Sequence, residues 1–252
     1  MKTAIITGAS AGLGLQFVSQ LEQNFPEISE VWLIARSEDK LTQASKLLKK
    51  ARGRIIPLDL SSEYDLDSFA KLLDTEKPEV LLLINNAGCG YLANVGETDY
   101  RIQTDMVDLN IRALTAVTSL CIPYIIRGGR IINISSIASF CPNPRMTVYS
   151  ASKSYVSAFS RGISEELKGR GIKVTAVCSG PMSTGFLDVA GIRGNSKTFD
   201  ILPFCDPEKV VSGTYRASKK GRAFYTPRAF FKFYRLVAKI LPQPLMVKFT
   251  KT

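Results

Sequence analysis

The chain has 252 residues, 45% of them hydrophobic and 22% charged, which is enough apolar sequence for one substantial core and too much for a disordered chain. It contains no histidine, so the commonest general base and metal ligand is missing, and acid–base chemistry near neutral pH must fall to another side chain, tyrosine or lysine. The net charge of +11 is unevenly placed: residues 207–252 hold eleven Lys or Arg against the single acid Glu208, and the rest of the chain is nearly neutral.

Short β-branched runs alternate with helix-length segments, the pattern of successive βαβ units and a parallel sheet in one α/β domain. Strands are predicted at 2–7, 30–35, 53–57, 79–84, 130–135, 172–178 and 222–226, about seven in all. Helices are predicted at 12–24, 38–50, 63–75, 99–126, 147–169, 207–219 and 228–241. Runs such as Leu81-Leu82-Leu83-Ile84 lack strict alternation, as central strands covered on both faces do. Residues 183–206, with three glycines and three phenylalanines, read as a long loop. Cys89, Cys121, Cys141, Cys178 and Cys205 are scattered without a Cys-x-x-Cys pair, which points away from a disulfide framework and a metal site and toward a reducing, cytoplasmic setting. The first residues reach glycine before any run long enough for a signal peptide, and no run approaches a membrane span.

The first predicted strand runs into Thr7-Gly8-Ala9-Ser10-Ala11-Gly12-Leu13-Gly14 and then a helix. Glycines are needed there where φ is positive or where backbone must approach a pyrophosphate closely, and the amides at the helix start face the phosphates. About 20 residues on, where an acid would hold the ribose hydroxyls of NAD, the second strand ends in Ala35 and Arg36. A guanidinium there suits a 2′-phosphate, with Ser10 and Ser37 as added hydroxyl donors; an arginine simply in solvent at a strand end is the plain alternative.

Tyr149 and Lys153 open a predicted helix four residues apart, so phenol and ammonium share one face. A fixed cation lowers a phenol's pKa toward the working range. Ser135-Ser136 ends a central strand at the carboxyl edge of the sheet, where such folds bind ligands.

Taken together, these motifs resemble the single-domain branch of the short-chain dehydrogenase/reductases over about residues 1–225. Thr7-Gly8-x-x-x-Gly12-x-Gly14 is similar to that family's cofactor turn, Asp59-Leu60 to its adenine contact, and Asn85-Asn86-Ala87-Gly88 to its fourth-strand motif. Asn110, Ser136, Tyr149 and Lys153 match its catalytic tetrad. The resemblance implies a Rossmann-type doubly wound sheet and NADP as cofactor. Gly8, Ser10, Gly12, Leu13, Gly14, Arg36, Ser37, Asp59, Leu60, Asn86, Ala87, Gly88, Tyr149, Lys153, Pro181, Met182 and Thr184 would line the cofactor. Lys153 would hold the nicotinamide ribose and, with the oxidised ring, depress the Tyr149 pKa, Ser136 would serve the oxygen that gains charge, and Asn110, in a helix kink, would hold a water leading to Lys153. Ser179 stands where the family usually has proline, which loosens that turn.

The expected substrate rim of Cys89, Tyr91, Phe140, Cys141, Met182, Phe186, Leu187 and Phe204 favours a lipophilic ketone or alcohol, of steroid or 3-oxoacyl type. Carbonyl reduction by a homodimer or homotetramer is the expected activity. A nucleotide-sensing or nucleic-acid-binding module on the same fold is the competing class; the intact tetrad and the lack of a nucleic-acid motif weigh against it. Residues 227–252 form a basic amphipathic extension in which Arg228, Lys232, Arg235 and Lys239 make a stripe, Pro227 suits a first helical turn, and the other faces are aromatic and aliphatic. Two readings stay open for it: a roof or interface packed on the body, or a peripheral contact with an anionic membrane.

Overall fold

The computed structural model describes residues 1–252, apart from the side chain of Lys197. Strands β1 (Lys2–Thr7), β2 (Glu30–Ala35), β3 (Arg52–Pro57), β4 (Glu79–Asn85), β5 (Ile125–Ile134), β6 (Lys173–Val177) and β7 (Phe224–Tyr225) form, among the described residues, one sheet in the order β3-β2-β1-β4-β5-β6-β7, every neighbour parallel. The order reverses between β1 and β4, and that switch opens a crevice at the carboxyl ends of the strands. Helices α1 (Gly12–Asn24), α2 (Glu38–Ser45), α3 (Glu63–Glu76), α4 (Tyr100–Val107), α5 (Leu114–Cys121), α6 (Thr147–Glu166), α7 (Phe186–Val189), α8 (Lys197–Ile201), α9 (Pro207–Lys219), α10 (Ala229–Ile240) and α11 (Gln243–Phe249) complete the chain.

Parallel strands must be covered on both sides, and two apolar layers do so here. One packs α1 and α9 around Phe17, Phe25 and the fully buried Tyr215, whose hydroxyl donates to the Phe17 carbonyl at 2.7 Å. The other sets Trp32 edge-on to Phe69, with Leu83, Val117 and Ile131 around them.

Five local expectations are corrected. The helix predicted over 38–50 stops at Ser45, because the Glu22 carboxylate collects the amides of Lys49, Lys50 and Ala51 at 2.7–2.9 Å and draws that segment into a turn. The helix over 99–126 is two helices joined by a π turn at Asp108–Ala113. β5 begins five residues before its predicted start of 130: Gly128, at φ 83°, and Gly129 look like a turn in the sequence, yet they form a bulge within the strand, across which the pairing to β4 shifts. The loop over 183–206 contains α7 and α8, and Met182 bridges to Cys205 across it. Pro227 lies outside α10, which starts only after Arg228 at φ 61°, and α11 is an unforeseen helix.

Candidate active site

At the end of β1 the chain turns through Gly8 and Gly12, both at positive φ. The turn is wound tightly: a Cβ on Gly14 would lie 2.0 Å from the Gly8 carbonyl oxygen, and one on Gly8 would lie 2.8 Å from Asn86 Nδ2. Thr7 pins it to the end of β4, its hydroxyl accepting from the amides of Asn86 and Ala87 at 3.0 Å each. Asn86 Nδ2 donates in return to the Thr7 and Gly8 carbonyls at 3.1 Å. α1 then follows Ala11, which offers no side-chain cap, and has no acid in its first turn, so its leading amides are not claimed by a side chain. Ser10 sits half-buried in the same turn. The Leu13 and Leu60 side chains are buried in the two cores.

Arg36 leaves the end of β2 exposed and, among the described residues, without an ion-pair partner; Glu38 and Asp39 lie instead in the first turn of α2, where they meet its N-terminal dipole. Ser37 caps that helix by accepting from the Lys40 amide at 3.4 Å, which leaves its proton free. Burial pushes the Asp59 carboxyl up, but hydrogen bonds from the Ser61 hydroxyl and amide, with the Arg36 charge, outweigh it and hold the carboxyl below its ordinary value.

Across the crevice, α6 carries Tyr149 and Lys153 one turn apart. Lys153 is only 5% exposed. Its Nζ donates to the Ile134 carbonyl at 3.0 Å and lies 5.7 Å from the centre of the Tyr149 ring. Ser136 starts the turn after β5, and its hydroxyl is close enough to the Tyr149 phenol to lower its pKa. Ser135 has a structural task, donating to the Lys153 carbonyl at 2.8 Å and thereby fixing α6 on β5. Against the lowering expected from a fixed cation alone, burial outweighs the Ser136 hydrogen bond and raises Tyr149 to about 12. Burial likewise lowers Lys153 from 10.5 to about 8, against the nearby Cys89 and Cys178.

The lysine shift has a consequence for stability. Between about pH 8 and 10.5 the unfolded chain holds the Lys153 proton while the folded chain has released it, so this residue makes the protein more stable as pH rises through that window. In urea titrations from pH 7.5 to 10, the stability of the wild type should therefore rise relative to Lys153→Met. A constant difference between the two proteins would show that the buried ammonium is not strained.

Asn110 is placed by the π turn, which adds a residue to the helical turn and rotates the side chain inward. It clamps the Cys89 backbone, accepting from the Cys89 amide at 2.9 Å and donating to the Cys89 carbonyl at 2.8 Å, and it also donates to Ser152 Oγ at 3.1 Å. Both amide protons are thus committed, and the side chain fixes the Cys89 backbone beside Lys153. Gly88 is required here, since a Cβ would meet Asn110 Oδ1 at 2.8 Å and Lys153 Nζ at 3.3 Å.

The segment after β6 closes the crevice. Thr184 comes within van der Waals distance of a Cβ at Gly12, 3.7 Å, while the carbonyl of the buried Pro181 accepts from the Cys205 amide at 2.7 Å, and Met182 is half-buried. Of the expected rim, Phe186 packs on the Tyr149 ring at 5.8 Å and Phe140 on Tyr234 at 5.9 Å. Leu187 and Cys141 are corrected: both are buried, Leu187 in a small core with Met146 and Ile192, Cys141 beside Thr250.

The extension supplies residues that the motifs did not single out. Phe231 is fully buried with its ring against Gly180, where a Cβ would lie 2.2 Å from Cε2. Thr250 donates to the Pro142 carbonyl at 2.8 Å, and Arg145 donates to the Thr252 carbonyl at 2.9 Å, so the segment leading into Tyr149 is tied to the tail. The aromatic excess of 229–241 was the sequence signal for this packing; its target was not visible.

Residues 2–191 match the family model described as short chain dehydrogenase. An uncharacterized oxidoreductase of Staphylococcus epidermidis is 27% identical over 187 residues, 73% of this chain and 79% of that protein. A short-chain dehydrogenase of Sphingobium yanoikuyae, solved in complex with NADPH, superposes with a TM-score of 0.82 at 24% identity, covering 98% of this chain and 95% of the other. A short-chain dehydrogenase/reductase of Burkholderia phymatum, solved with NAD, gives 0.80 at 18% identity, covering 100% and 95%.

Proposed function

The chain belongs to the short-chain dehydrogenase family, and from that membership we propose that it is an NADP(H)-dependent oxidoreductase that reduces a lipophilic ketone, of steroid or 3-oxoacyl type, with Tyr149 as general acid. The observation that carries the reading is the meeting of Ser136, Tyr149 and Lys153 at the carboxyl end of β5, across the crevice from a glycine turn too tight for side chains. The cradle fits a dinucleotide: Gly8 and Gly14 let the turn wind closely on itself and on β4, the α1 amides are uncapped, and Arg36 has no carboxylate within 4 Å among the described residues. Residues of this cradle would hold the diphosphate, Asp59 the adenine side, Lys153 the nicotinamide ribose, and Thr184 with Met182 the carboxamide side. When bound, the nicotinamide supplies the hydride.

The chain's own groups do the rest. Tyr149 is fully protonated at neutral pH and gives its proton to the carbonyl oxygen as that oxygen gains charge. Ser136 donates a hydrogen bond to the same oxygen. Lys153 holds its ammonium beneath the phenol, and Asn110 fixes the Cys89 turn that faces both. Phe186, Met182, Phe204 and the Phe140–Tyr234 pair supply the apolar surface that suits a lipophilic substrate. NADPH oxidation should be detected with steroids or 3-oxoacyl thioesters in a screen that also includes quinones, aldehydes and sugars. Turnover confined to small polar sugars would overturn the substrate class and leave the acid assignment standing.

NADP rather than NAD rests on Ala35 and Arg36. Replacing both, as Ala35→Asp with Arg36→Leu, should weaken NADPH binding by ~1–3 kcal/mol for each change and improve NADH binding, read by fluorescence titration. Equal affinities for the two cofactors in the unmodified protein would refute the preference.

A further inference from the structure

We propose that the groove between β7 and α10, together with the outward face of α10, is a seat for anionic phospholipid, the groove taking the headgroup phosphate and the helix face entering the lipid. The groove has a volume of about 330 Å³ and is lined by Arg222, Lys232, Arg235 and Lys239. None of the four has a carboxylate within 4 Å among the described residues, and the last acid in the chain is Glu208. Arg235 is held by two aromatic rings, its guanidinium 4.3 Å from the Phe224 ring centre and 5.7 Å from that of Phe140, so a positioned cation lines the groove without an anion among the described residues. Thr226 also lines it; this residue is only 5% exposed, and its hydroxyl has no hydrogen-bond partner among the described residues. Four unneutralised cations gathered around one groove are the composition of a site that receives phosphate oxygens.

The source of the phosphate is argued from the adjoining surface. Arg228 donates to the Phe204 carbonyl and Arg235 is stacked, so the basic stripe read from the sequence reduces to Lys232 and Lys239 as free surface charges on α10. Next to them, on the side turned from buried Phe231, stand Phe230, Phe233, Leu236 and Ile240, which are 53%, 67%, 55% and 70% exposed. Leu245 and Phe249 on α11 are exposed as well. A helix that turns aromatic and aliphatic side chains to the outside, with lysines along one flank, has the make-up of an element lying in a membrane interface. A second copy of the chain suits this face less well, because docking it would bring two rows of unneutralised lysines together. An anionic lipid surface supplies both the charge and the apolar phase.

The test uses the full-length protein and does not depend on turnover. With vesicles of phosphatidylcholine and phosphatidylglycerol the protein should co-sediment at low salt, with pure phosphatidylcholine it should stay in solution, and salt should weaken the binding. Lys232→Glu with Lys239→Glu, and separately Phe233→Asp with Ile240→Asp, should each cut the bound fraction by at least about tenfold. A Phe233→Trp protein, which keeps the surface apolar, should show a blue-shifted emission only with the anionic vesicles. The proposal is overturned if the wild type remains in the supernatant with both vesicle types. It is equally overturned if both double variants bind as well as the wild type. Calorimetric binding of inorganic phosphate without vesicle binding would mean a soluble phosphate ligand. A dimer that Phe233→Asp with Ile240→Asp dissociates, again without vesicle binding, would mean an interface between copies.

Discussion

Tyr149→Phe is expected to lower turnover by ~10²–10⁴-fold, because it removes the proton while keeping the ring that packs on Phe186. The variant should fold normally and still bind NADPH, since Lys153, Ser136 and the glycine turn are untouched. The raised phenol pKa sharpens the expectation. With its pKa pushed up to about 12, Tyr149 is a loaded acid at neutral pH and a poor base. Reduction should therefore be nearly independent of pH from 6 to 8, whereas oxidation of the alcohol should accelerate as the medium becomes alkaline. Near-normal turnover by Tyr149→Phe would remove the acid assignment altogether.

Phe231→Ala is expected to cost about 3–5 kcal/mol of folding stability, the usual loss when a fully buried phenylalanine is truncated and its cavity cannot collapse. The cavity would open against Gly180, on the turn that leads to Pro181, Met182 and Thr184, so cofactor affinity should fall together with the urea midpoint. Gly180→Ala attacks the same contact from the other side, since its Cβ would sit 2.2 Å from the ring. The two losses should not add: the double variant, with the ring gone, should be less damaged than the sum of the singles. A loss below about 1 kcal/mol for Phe231→Ala would mean that α10 is merely laid on the body and does not complete it.

Much of this molecule was legible in the linear chain because its determinants are local. The bounds of β1, α1, β2 and α9 follow from runs of apolar residues and from the glycines and prolines that stop them, each acting within a few positions. The same holds for the constellation around Tyr149: a four-residue spacing on one helix puts phenol and ammonium together whatever surrounds them, and a serine at a strand's carboxyl end reaches the crevice by topology alone. What the linear chain could not show are quantities set by neighbours distant in sequence. The stop of α2 at Ser45 depends on Glu22, the hidden strand residues before Arg130 on a bulge paired to β4, and the committed protons of Asn110 on Cys89 and Ser152. The desolvation that raises the Tyr149 phenol is hidden for the same reason, since a cation one helical turn away is visible in sequence but burial is not. The extension makes the division clearest. Its excess of aromatic and basic residues is a property of the sequence, whereas only packing against Gly180 and β7 decides that Phe231 turns inward, that Arg235 lies on Phe224, and that Phe233 and Ile240 are left facing out, because burial is settled by whichever surface the rest of the fold presents to the helix.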